Sequence, residues 1–129
     1  MITIKNLNKF YGRQHVLHDI NLQLEQGQCI GFVGPNGCGK TTLMKCILGL
    51  VTPQSGEVLV DGMNVQENPS YRRHIGFMPQ NSCFPENMSV GETFRTIRDV
   101  RKDSDNLDKE LYDAFEIEAI AGKKTKTLS

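Results

Sequence analysis

Apolar and polar residues alternate along ITIKNL, residues 2–7, and again through Ile20, Leu22 and Leu24, which predicts two strands with one buried face each. Between them KFYGRQHVLHD loses the alternation, and Tyr11-Gly12 marks a turn. A mostly apolar run follows, Cys29, Ile30, Phe32 and Val33, the pattern of a strand covered on both faces. Behind the glycine-rich loop that comes next, Leu43 with Ile47 and Met44 with Leu48 recur at i, i+4 and give a helix one apolar face. The stretch from Thr52 to Gly56 breaks the chain, EVLVDG supplies another strand, and Asp61-Gly62 closes it in a tight turn. Ile75, Phe77 and Met78 form a last short strand that runs into Pro79-Gln80.

Beyond Gln80 the period becomes helical. Ser89-Val90-Gly91-Glu92 has capping-box spacing and predicts a helix to about Arg101. Leu107, Leu111 and Phe115 recur at i, i+4, i+8 and predict a second helix from about Asp105 to Glu116, its remaining positions a solvated, charged face. KKTKT near the end reads as a polar loop.

The loop carries the chemistry. Gly34, Gly39, Lys40 and Thr41 fit the phosphate-loop spacing G-x-x-x-x-G-K-[ST], with Asn36, Gly37 and Cys38 between them. Consecutive backbone N–H groups hold a polyphosphate only where the chain curls into a concave nest free of side chains, and glycine permits that curl. The helix beginning near Gly39 adds free N–H groups and the positive end of its dipole. Lys40 is then expected at the β and γ phosphates, Thr41 at Mg²⁺, and the Thr42 N–H at the α-phosphate. Cys38, beside Lys40 at a helix start, is either a thiol expected to react with a maleimide faster than Cys29 or Cys46, or a small residue filling a loop position where alanine or serine would serve.

Composition narrows the class. With 129 residues the chain has room for one domain with a core. Lys plus Arg and Asp plus Glu stand at 15 each, and neither side of Gln80 carries much net charge, so no nucleic-acid partner is expected. No apolar run approaches the ~20 residues of a membrane helix, and no signal-peptide pattern opens the chain, which reads as cytosolic. Cys29, Cys38, Cys46 and Cys83 lack C-x-x-C spacing and read as free thiols in a reducing compartment. His15, His18 and His74 read as surface residues rather than ligands.

Taken with FYG before the loop, SGEVLVDG and FMPQ after it, and the SVGETF entry to a helical stretch, the chain resembles the ATP-binding domains of ABC transporters over its whole length. The resemblance implies an α/β P-loop NTPase fold of ABC type. Its parts would be an N-terminal antiparallel β-subdomain, part of the parallel core sheet and part of the helical subdomain. Residues 1–80 would form the ATP-binding core, with the phosphate loop at 34–41 and a glutamine loop near 80, and 81–129 would begin the helical subdomain. It further implies that Tyr11 stacks on adenine, worth roughly 1–3 kcal/mol for base on aromatic. Gln80 would touch Mg²⁺ and the attacking water and link the site to a membrane partner. From the residues alone, Tyr11 is a turn residue and Gln80 an exposed amide.

The family's signature begins Leu-Ser-Gly-Gly, and Leu128-Ser129 match its first two residues. The acidic pair after an apolar run and the switch histidine are not among the 129 residues, so the chain is expected to bind ATP without hydrolysing it and to leave apolar sheet surface uncovered. Val58-Leu59-Val60-Asp61 imitates the acidic run, but Gly62 follows and makes a turn. The function implied is an ATP-binding subunit, cytoplasmic and peripheral to the membrane, that couples Mg-ATP to an integral-membrane subunit and pairs with a second ABC domain. MPQNSCFPENMSVGETF looks closest to exporter-type systems. A soluble ABC ATPase of translation or DNA repair, and a fragment that only binds nucleotide, are the alternatives. A small-molecule kinase would make Tyr11, Gln80 and the terminal Leu-Ser coincidences.

Overall fold

The computed structural model describes residues 1–80, 84–101 and 109–128, which leaves Cys83, Leu107 and Ser129 outside the described residues. The chain divides into two units, Met1–Gly76 and Phe77–Ser129.

The first unit is an antiparallel sheet with one helix against it. β1 (Ile2–Tyr11) and β2 (Gln14–Leu24) form a hairpin, β3 (Ser55–Val60) pairs with the other edge of β1, and β4 (Met63–Asn64) follows β3, giving the order β2-β1-β3-β4. Both hairpin strands are longer than their alternation predicts, since KFYGRQHVLHD belongs to them apart from Gly12-Arg13. Register shifts in β1 and the left-handed backbone of Asn6 (φ 49°) and Asp19 (φ 47°) interrupt the period of two while the ladder continues. The Asp61-Gly62 turn stands as read: both residues have positive φ (48° and 77°) and join Val60 to Met63, so the imitation of an acidic run is a hairpin turn.

Helix α1 (Lys40–Ile47) buries Leu43, Cys46 and Ile47 in a core with Ile4, Leu7, Leu17, Val58, Val60, Val65 and Tyr71. The buried stripe is therefore 43, 46, 47, the i, i+3, i+4 set, and Met44 is exposed. Burial pushes the Cys46 thiol above its usual pKa, with the charge of Lys9 opposing. α1 ends in a Schellman motif, in which Leu50 N–H donates to Lys45 O (2.9 Å) and Gly49 N–H to Cys46 O (3.0 Å). Two carbonyls left beyond it are taken by Arg72, whose Nε donates to Leu48 O (3.1 Å) and Nη2 to Gly49 O (3.0 Å).

Two expected strands are not strands. Residues 29–33 and 75–78 carry no strand pairing among the described residues, and Val33 is 99% exposed and Met78 87%. A parallel strand needs neighbours along its edges, and hydrophobic pattern alone does not supply them. Cys29 is consequently exposed. The fold class is nonetheless α/β of the expected kind, with the antiparallel N-terminal sheet in place.

In the second unit the capping box forms as spelled: Ser89 N–H donates to Glu92 Oε2 (2.8 Å) and Glu92 N–H to Ser89 Oγ (3.2 Å), opening α2 (Val90–Arg101). Of the second predicted helix, α3 (Lys109–Ala114) forms and ends close to the expected Glu116, whose φ of 48° separates it from a further short helix, α4 (Ile117–Ile120), that the pattern did not predict. Leu111 and Phe115 are exposed, so the expected apolar face is not buried. The first turn of the predicted helix, 105–108, lies outside the described residues. KKTKT does more than a polar loop, since Val90 N–H donates to Lys123 O (3.0 Å) and Thr125 N–H to Met88 O (3.0 Å), fastening the start of α2. Among the described residues no helix is long and apolar enough to cross a membrane.

Candidate functional site

The loop between residue 33 and α1 curls through two left-handed glycines, Gly37 (φ 83°) and Gly39 (φ 98°). Gly39 is buried because the loop lands there on β2: a Cβ at Gly39 would lie 2.9 Å from Leu17 Cδ2 and 3.1 Å from Val16 O. Both the dihedral and the close approach call for glycine. α1 then starts at Lys40 with no side-chain cap, so the N–H groups of Lys40, Thr41 and Thr42 face the loop uncapped.

Lys40 lies across this curl. Its Nζ donates to Gly34 O (2.7 Å) and Pro35 O (2.8 Å) and stands 3.7 Å from Cys38 Sγ. Cys38 in turn sits over Gly34, where a Cβ would meet its Sγ at 2.8 Å. Asn36, Cys38 and Thr41 are exposed and Thr42 is half-buried. The loop thus places one ammonium and one exposed hydroxyl beside the uncapped start of α1, a set of groups that fits an anion bearing several oxygens.

Tyr11 lies at the end of β1, opposite Gln14. Lys9 faces Leu17 across the hairpin, Leu17 touches Gly39, and Tyr11 stands two residues further along β1, roughly 7 Å. Its ring is 47% exposed. Gln80 is exposed and belongs to the second unit. Of the histidines, His15 is half-buried, stacks on Phe10 (3.9 Å between ring centroids) and lies tilted against His18 (3.7 Å).

Two residues packed around β1 and α1 had no signal in the sequence. Lys9, in the stretch read as lying between two strands, is buried, and Arg72, which the sequence did not single out, caps α1. A concave surface lined by Phe94, Arg95, Arg98 and Tyr112 belongs to the second unit and holds none of the predicted site residues.

A phosphate-type loop mounted on an antiparallel sheet defines the class: an α/β nucleotide-loop protein. Comparison with known proteins makes it definite, because the ABC transporter family model matches residues 17–129, and the chain belongs to that family. It is 33% identical to the sulfate/thiosulfate import ATP-binding protein CysA of Caulobacter vibrioides, over 99% of this chain and 40% of the relative. It is 30% identical to the lipopolysaccharide export system ATP-binding protein LptB of Escherichia coli K12, over 99% of this chain and 56% of the relative. Among solved structures, an ATP-binding subunit of an ABC transporter aligns over 100% of this chain and 56% of its own, with a TM-score of 0.86 and 25% identity. The chain thus spans about half the length of these relatives.

Proposed function

We propose that residues 34–42 bind the phosphates of Mg-ATP, and that the chain is part of the ATP-binding subunit of an ABC transporter, peripheral to the membrane through an integral-membrane partner. The observation that carries this is the left-handed curl at Gly37 and Gly39 running directly into the uncapped start of α1, with Lys40 lying across it. Gly34, Asn36, Gly37, Cys38 and Gly39 supply the cradle, Lys40 the charge, and the Thr42 N–H a contact one residue further in. Among the described residues there is no group of three or more His, Cys, Asp or Glu able to hold a metal ion. When Mg²⁺ accompanies the nucleotide, the exposed Thr41 hydroxyl at the start of α1 would be a protein ligand to it. Tyr11 takes the adenine.

The relatives are ATP-binding subunits of both import and export systems, which favours a transporter subunit over a soluble ABC protein. The exporter reading rests on the stretch 78–94 alone. Hydrolysis is a separate matter. Phosphoryl transfer to water is mostly positioning and charge stabilisation, so every absent group removes transition-state contacts even where ground-state binding survives. Residues 1–129 hold the cradle without an acidic pair after an apolar run, and they bind without turning over. A second ABC domain would complete the site in a longer protein. Phosphate release by these residues, set beside a chain extended to the length of the relatives, tests this: no turnover by the first and turnover by the second is the expected result. Steady release by residues 1–129 that Lys40→Ala abolishes would overturn it.

A further inference from the structure

Lys9 is the one charged side chain that is buried among the described residues, at 9% exposure. Removing an ammonium from water is costly unless it is paired, and a lysine on a strand can ordinarily extend its head to solvent. Here no carboxylate pairs with it among the described residues. Its Nζ instead donates to Thr52 O (2.7 Å) and lies over the ring of Tyr11, 5.1 Å from the centroid. That distance is within cation–π range.

The surrounding backbone is clamped in the same direction. Gln54 Oε1 accepts from Phe10 N–H (2.8 Å), Gln54 Nε2 donates to Phe10 O (3.2 Å), and Gln54 N–H donates to Asn8 O (3.0 Å). Residues 8–10, which lead into Tyr11, are thereby tied to residues 52–54, the chain leaving α1. Lys9 and Tyr11 are i, i+2 on one face of β1, so the ammonium covers one side of a ring that otherwise stands in solvent.

We propose that Lys9 is a positioning residue for base recognition: held by the Thr52 carbonyl, it occupies one face of Tyr11 and fixes the ring so that the opposite face is presented to a purine. The proposal rests on the reading that Tyr11 stacks on the base. It predicts an effect on the base-dependent part of binding and none on the phosphate-dependent part, which a purely structural lysine would not produce.

The test is calorimetric affinity for Mg-ATP and for inorganic triphosphate in wild type, Lys9→Met, Lys9→Arg, Tyr11→Ala and the Lys9→Met/Tyr11→Ala pair. Lys9→Met should cut the preference for ATP over triphosphate by about three- to tenfold and leave triphosphate affinity unchanged. Lys9→Arg should restore most of the preference, and Lys9→Met should add nothing once Tyr11 is alanine. Should Lys9→Met not fold, Lys9→Gln, which keeps a donor for Thr52 and drops the charge, reads the same ratio. Equal loss of ATP and triphosphate affinity would overturn the proposal. So would a preference that survives removal of the Lys9 charge while Tyr11→Ala abolishes it, an outcome that leaves the stacking reading standing. A preference unchanged by Tyr11→Ala would instead bring down the stacking reading, and the proposal with it.

Discussion

Lys40 holds its ammonium 2.7 Å from the carbonyl oxygen of Gly34, six residues earlier in the same loop. The lysine thus cinches the curl with its own charge. Phosphate oxygens are charged and loop carbonyls are neutral, so a phosphate chain is the stronger partner for that ammonium. On the proposed reading, nucleotide binding would be an exchange of acceptors by Lys40 and would bring the phosphates beside Cys38, whose sulfur is 3.7 Å from the same nitrogen.

That neighbourhood gives the first prediction. Cys29 and Cys38 are exposed and Cys46 is buried, so in a Cys83→Ser background a maleimide should modify the first two and spare the third. Saturating Mg-ATP should slow labelling of Cys38 and leave Cys29 unchanged. Mass-spectrometric labelling rates check it, and a Cys38 rate indifferent to ATP would count against phosphate binding beside it.

The end of α1 gives the second. Gly49 has φ 63°, and a Cβ there would lie 2.6 Å from both the Tyr71 hydroxyl and Arg72 Nη2. Gly62 has φ 77° with nothing within 4 Å of a Cβ. Left-handed backbone costs a non-glycine residue roughly 1–2 kcal/mol, so both Gly→Ala changes should destabilise by about that much. Gly49→Ala should cost more, because the cap formed by Arg72 must also move. Urea midpoints compare them, and an equal loss at the two positions would show that the Arg72 contact contributes nothing.

The capping box gives the third. Ser89→Ala should destabilise α2 by about 1 kcal/mol. The Ser89 backbone N–H first, and its hydroxyl second, hold the Glu92 carboxyl below its usual value of 4.5. A lowered carboxyl pKa stabilises the folded form above the ordinary value, and that contribution is lost as pH falls through the folded pKa. The helicity of α2 should therefore weaken below about pH 4.5. An NMR titration of Glu92 should show a midpoint that rises part of the way toward normal in Ser89→Ala, since the backbone bond survives. A midpoint unmoved by the substitution would mean the hydroxyl plays no part.

What the sequence made legible was local. Ser89 and Glu92, Asp61-Gly62, and the glycines ahead of Lys40 each need only a few consecutive residues to fix their geometry, and all three form as spelled. The ends of β1 and β2 were not legible, because register shifts and the left-handed Asp19 break the alternation that a pattern search follows. Residues 29–33 have the right pattern for a strand and no paired neighbour among the described residues. Lys9 and Arg72 carried no signal at all, since their partners, Thr52 and Leu48, stand 43 and 24 residues away.

The central claim is that residues 34–42 hold the phosphates of ATP with Lys40 as their charged partner. Calorimetric titration of Mg-ATP into wild type and Lys40→Ala tests it most directly. Losing one charge-assisted contact of roughly 1.5–3 kcal/mol should weaken binding more than about tenfold. Equal affinities for the two proteins would contradict the assignment of the site.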